Sequence, residues 1–152
     1  MITRHARETD RDSVLALYGV LRPNDPPLDH GRAVALWTSV NDGSRSLVVV
    51  CEQEGQVGAT CMLALVANLA SEGRPIGLVE HVITAPDFRR QGLAEACLRF
   101  AVDEAWRLGC CKVVLLSGAG RPEAHRVYEK VGFDGDVERG FVIKRPRGDD
   151  SA

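Results

Sequence analysis

The stretch from Gly77 to Ser117 does most to limit what this chain can fold into. Gly77 to Thr84 is a strand-like run, and Pro86 ends it. Leu93 to Leu108 carries Ala94, Cys97, Leu98, Ala101, Val102 and Ala105 at helical spacing, with Gly109 as a natural stop. Lys112 to Ser117 is a near-continuous apolar run, as expected of a buried parallel strand. A strand, a helix and a second strand in so short a stretch form a right-handed crossover between parallel neighbours. The turn that opens the helix is Arg89-Arg90-Gln91-Gly92-Leu93-Ala94. The first N–H groups of a helix have no intrahelical partner, and the helix dipole adds partial positive charge there. A basic, glycine-containing turn at that point is built to hold an anion, and a pyrophosphate suits it.

The rest of the chain wraps around this unit. Met1 to Arg7 is a short first strand. Thr9 with Asp12 resembles a capping box, and Val14, Leu15, Leu17, Tyr18 and Leu21 give the helical stripe that follows. Pro23, Pro26 and Pro27 stop that helix, and a second runs from about Gly31 to Asn41. Ser46 to Glu52 and Gln56 to Ala67 are strands around a hairpin turn at Glu54-Gly55. Pro122 starts a last helix that ends before Gly132. Phe133 and Gly140 to Lys144 offer final strand material. The expected fold is α/β: a single domain over 1–145 with a mostly antiparallel central sheet, one parallel pair and helices on both faces. Residues 146–152 read as a polar, disordered tail.

Composition excludes several classes. At 152 residues the chain is one domain with a real core. A net charge of −2 gives no general case for nucleic acid or membrane surfaces. No apolar run reaches the roughly 20 residues of a membrane helix, and the N-terminus has no secretory pattern, so the expected location is the cytoplasm. Cys51, Cys61, Cys97, Cys110 and Cys111 lack ligand spacing, so reduced buried thiols are expected and no metal.

From Gly77 to Lys144 the chain resembles the GNAT superfamily of acetyl-CoA-dependent N-acetyltransferases. Arg89 to Ala94 matches the family's Gln/Arg-x-x-Gly-x-Gly/Ala signature. Val127-Tyr128-Glu129-Lys130-Val131-Gly132-Phe133 resembles its C-terminal signature, in which a helical Tyr precedes Gly-Phe. The resemblance implies that the two crossover strands splay apart and admit the pantetheine arm of acetyl-CoA. It implies backbone hydrogen bonds from Val82, Ile83 and Thr84 to that arm. The amides of Gln91, Gly92, Leu93 and Ala94 would cradle the pyrophosphate, with Arg89 and Arg90 adding charge. Many relatives carry Asn where Arg121 stands here; Arg cannot accept a hydrogen bond, so Arg121 is expected to reach a CoA phosphate or an anionic substrate. A homodimer is also implied.

The chemistry assigns two further residues. An amine with a pKa of about 10 must lose a proton before it attacks, and Glu80 is the candidate base. A carboxylate of ordinary acidity, near pKa 4.3, is a poor base, so burial or a water relay is needed. A backbone N–H near Val82 or Ile83 suits the developing oxyanion. Tyr128 suits the departing thiolate as hydrogen-bond donor and acid. His81, by strand alternation, should face away from Glu80.

The acceptor is expected to be a primary amine of a small molecule or peptide, attacking directly in a ternary complex. The expected substrate walls, Arg22 to His30 and a final hairpin from Phe133 to Arg139, contain Asp25, Asp29, Asp134, Asp136 and Glu138. Acidic walls favour a cationic amine. Val79-Glu80-His81-Val82 is also similar to the glucosamine-6-phosphate acetyltransferase branch, which usually has Asp or Asn where His81 stands. The alternative reading is a non-catalytic CoA-binding regulatory module of the same fold.

Overall fold

The computed structural model describes residues 1–146; the polar tail from 147 onward lies outside the described residues. Five strands form one sheet in the order of the chain: β1 (Ile2–His5), β2 (Ser46–Gln53), β3 (Gln56–Val66), β4 (Ile76–Thr84) and β5 (Lys112–Leu115). The first three pairings are antiparallel, and β4–β5 is parallel. The helices are α1 (Arg11–Leu21), α2 (His30–Val40), α3 (Leu93–Arg107) and α4 (Pro122–Val131).

Alternation along β2 and β3 sends side chains into two cores. On one face Leu47, Val49, Cys51, Ala59, Cys61 and Leu63 meet Cys97, Leu98, Ala101 and Ala105 of α3. On the other, Val48 and Val50 meet Val14 of α1 and Trp37 of α2. Each fully buried Leu contributes about 1.5–3 kcal/mol, so the α3 face holds most of the fold's apolar stabilisation. Thr60, opposite Val50 on the second face, is buried, and its hydroxyl donates to the Val49 carbonyl at 2.7 Å, which offsets the cost of burying it.

Polar ties fix α1 and α2 against the sheet. Arg4 donates to both carboxylate oxygens of Asp10 (2.6 and 3.1 Å) and to Glu52 (2.9 Å). The Arg4 guanidinium holds the Asp10 carboxyl below the usual carboxylate range. Asn41 donates to Ala6 O and accepts from Val48 N, both at 2.9 Å, joining the end of α2 to β2.

Three expectations change. Helix α1 is entered through a short 3-10 turn, Glu8–Asp10, and the bond that closes its start is Asp10 Oδ2 accepting from Arg7 N (2.7 Å), in place of a Thr9–Asp12 box. The acidic side chain nearer Arg4 wins the capping role. Strand β5 is a half-buried edge of the described sheet and not an enclosed strand. Gly140 to Lys144 forms no strand: Phe141 and Ile143 are 88% and 97% exposed. The segment instead runs past β5 through an ion pair, Lys112 with Glu138 (2.9 Å), and close contact of Gly140 with Leu116.

Candidate functional site

Parallel pairing between β4 and β5 stops at Val79–Leu115, yet β4 continues for five more residues to Thr84. From Glu80 onward the β5 side of β4 has no paired strand. Val82, Ile83 and Thr84 therefore have no β5 partner along that edge.

Beyond Thr84 the chain turns through Pro86–Phe88 into the loop before α3. Arg90 (φ 59°) and Gly92 (φ 85°) are both left-handed. Nothing lies within 4 Å of a Cβ placed on Gly92, so its backbone angle, not crowding, calls for glycine. The first intrahelical bond of α3 is Ala96 N–H to Gly92 O (3.0 Å), and the cap supplies no side-chain acceptor. The amides of Leu93, Ala94 and Glu95 thus point out unpaired by the helix.

This loop is seated by features that the sequence reading did not single out. A Cβ on Gly58 of β3 would lie 2.6 Å from Leu93 and 2.8 Å from Phe88, so only glycine lets the start of α3 close on the sheet. The Gln91 side chain accepts from Gln53 Nε2 (2.6 Å) and donates to Asp87 O (3.0 Å), which ties the loop to the β2–β3 turn.

A cleft of about 270 Å³ opens here. It is lined by Thr84, Phe88, Arg90, Gly92, Leu93, Ala94 and Glu95, with Arg126, Val127 and Lys130 from α4. Arg126 and Lys130 were not among the expected residues; their four-residue spacing on one helix is the signal that places them together. Glu95 would repel an anion, but Lys130 (2.6 Å) and Arg99 (3.0 Å) neutralise it and hold its carboxyl below the usual range. Arg89 and Arg121 are exposed and do not line the cleft; Arg121 lies over Gly118 instead.

Tyr128 packs through α4 against the α3-face core, edge-on to Phe133 at 6.5 Å. Glu80 pairs with Met62, whose side chain belongs to the α1–α2 face. The two expected catalytic residues are therefore held on opposite sides of the sheet, with the unpaired part of β4 between them.

His81 departs from expectation. Glu80 is opposite Met62 and Ile83 opposite Thr60, so His81 and Val82 share one partner residue, a bulge. His81 takes φ 55°. Its ring lies against Tyr18 of α1, 5.0 Å between centroids, while Val82 returns to the α3-face core. The extra residue breaks the alternation that would have sent His81 away from the α1 face.

Comparison with known proteins agrees with this architecture. The sequence profile of the acetyltransferase (GNAT) family matches residues 12–133. The chain belongs to that family. A glucosamine 6-phosphate N-acetyltransferase of Trypanosoma brucei brucei is 28% identical over 131 residues, 86% of each chain. A ribosomal-protein-alanine N-acetyltransferase of Escherichia coli is 29% identical over 94 residues, 62% of this chain and 59% of that one. A solved structure from Agrobacterium tumefaciens, assigned as an acetyltransferase, is 32% identical and superposes with a TM-score of 0.87, covering 95% of this chain and all of that one. The unpaired amides, the left-handed loop and the open edge of β4 fit the acetyl-CoA that this family uses. Among the described residues no group of three or more His, Cys, Asp or Glu side chains is placed to hold a metal ion, and no helix is long and apolar enough to cross a membrane.

Proposed function

We propose that the chain moves the acetyl group of acetyl-CoA to a primary amine of a small molecule or peptide, by direct attack in a ternary complex. The observation that carries this is the end of β4–β5 pairing at Val79–Leu115, with the unpaired helix amides beyond it. Acetyl-CoA, when bound, supplies an electrophilic thioester carbonyl. The α3 loop amides and Arg90 hold its pyrophosphate, with Arg126 and Lys130 closing the α4 side. Val82, Ile83 and Thr84 align the arm through backbone groups, and an N–H at Val82 or Ile83 faces the developing negative charge. Tyr128 holds a proton at Oη for the departing sulfur. Glu80 draws in the acceptor ammonium, and the proton leaves there, directly or through a group beside it.

The amines named for the relatives are an amino-sugar phosphate and a protein alanine. A first panel is therefore glucosamine 6-phosphate, an alanine-led peptide and, for the acidic turns, spermidine. Thiol release from acetyl-CoA with any of these, absent without the amine, supports the transferase. Acetyl-CoA binding without turnover on a wide amine panel would favour the non-catalytic CoA-binding module.

A further inference from the structure

We propose that His81 is the group that takes the proton from the acceptor ammonium, with the Glu80 carboxylate beside it as counter-charge. This rests on the transferase reading above and names the atom that reading leaves open.

Four observations converge on His81. First, it occupies a bulge with φ 55°, a conformation costing a non-glycine residue roughly 1–2 kcal/mol, and such strain gathers at working sites. Second, the bulge lies just past Val79, where β5 has left β4 and the acceptor must approach. Third, the ring is half-buried against Tyr18, while the hydrogen-bonded imidazoles among the described residues are those of His5 and His125. Packing orients the His81 ring without spending its nitrogen lone pair. Fourth, burial keeps it neutral. Burial lowers its pKa most; Glu80 opposes this, and Arg22 at the end of α1 adds to it.

From α1 the groups facing the ring are the Tyr18 phenol, which burial pushes up and so keeps protonated, and Arg22. From its own strand there is Glu80. From β3, opposite the bulge, stands Cys61, sealed in the other core with its Sγ directed at Cys97 O (3.6 Å). A neutral imidazole offers a nitrogen lone pair that can take the ammonium proton directly. Its lowered pKa leaves the lone pair free throughout the neutral range.

The protons balance. One leaves the ammonium nitrogen for the imidazole before attack and passes to solvent. The second leaves that nitrogen after the C–N bond forms, matching the one the departing thiolate takes up. The net products are the amide, the free thiol and one proton.

The test is the pH profile of kcat/KM, from acid to alkaline, with whichever of glucosamine 6-phosphate, spermidine or the alanine-led peptide turns over fastest. The wild-type chain should lose activity on the acid side as pH falls through a value below about 6.5. His81→Gln should lower kcat by about 100-fold and lose that acid limb, with the acetyl-CoA thermal shift retained. Added imidazole should restore part of the rate in His81→Ala, which a purely structural role would not allow. Glu80→Gln should raise the amine KM more than it lowers kcat. An acid limb and a kcat within about twofold of wild type in His81→Gln would overturn the assignment, as would loss of the limb in Glu80→Gln alone. No wild-type turnover with all three amines, acetyl-CoA still binding, would instead count against the transferase reading on which the assignment stands.

Discussion

At its α3 end the cleft is made of backbone. The amides of Leu93 to Glu95, the left-handed Arg90 and Gly92, and the Gly58 notch beneath them are set by chain geometry. The expected acceptor walls, Arg22 to His30 and Phe133 to Arg139, are mostly exposed connections outside the cleft lining. The acidic side chains there are largely engaged locally. Asp29 caps α2 by accepting from Arg32 N (3.0 Å), Asp134 accepts from Asp136 N (2.9 Å), and Glu138 pairs with Lys112. An end built from backbone has one ligand geometry available to it. An end built from turns is free to vary, so the same scaffold serves different amines. The expected acidic wall is thus mostly a set of caps and ion pairs, and in the proposed mechanism drawing in a cationic acceptor falls to Glu80.

The sharpest way to break this comparison is to remove chemistry while leaving the backbone end whole. Tyr128→Phe should lower kcat by about 100-fold and keep the acetyl-CoA thermal shift, because the role proposed for the hydroxyl is at the sulfur while the ring still packs on the core. A lost shift would mean that Tyr128 holds the fold or the ligand. Next, removing side-chain charge from the backbone end, Arg90→Ala with Arg126→Ala, should weaken acetyl-CoA by about tenfold, with less effect in high salt. Calorimetric titration at two ionic strengths reads both. Gly92→Ala meets no clash but must hold φ 85°, so it should cost about 1 kcal/mol and lower the melting temperature by a few degrees. The smallest effect belongs to the other end: Asp134→Asn should leave stability within about 0.5 kcal/mol and kcat/KM for spermidine nearly unchanged. A large rise in KM there would restore the acidic wall.

The same division explains what could be read from the sequence. The crossover, the loop and the helix periods are local signals, and they place β4, α3, β5 and α4 within a residue or two. Gly92 shows itself because glycine before a helix has few other meanings. Gly58 does not, because its demand comes from Phe88 and Leu93, thirty or more residues away. The bulge at His81 is equally silent: alternation is the default for a strand, and only the register against Met62 and Thr60 reveals the extra residue. Apolar Phe141, Val142 and Ile143 read as a strand, but the described chain lays no partner against them. Arg121, standing where relatives carry Asn, read as a contact for a CoA phosphate or an anionic substrate, while the described cleft is lined by Arg126 and Lys130, one turn and more beyond it.

The most direct test is thermal unfolding of the full chain with saturating acetyl-CoA, beside ATP and NAD at equal concentration. At about 100 times its dissociation constant the ligand adds about 2.7 kcal/mol, a rise of several degrees for a domain of this size. A rise with acetyl-CoA well above that with ATP or NAD is the predicted result. No rise, or an equal rise with all three, would contradict the assignment of the α3 loop and the open β4 edge to acetyl-CoA.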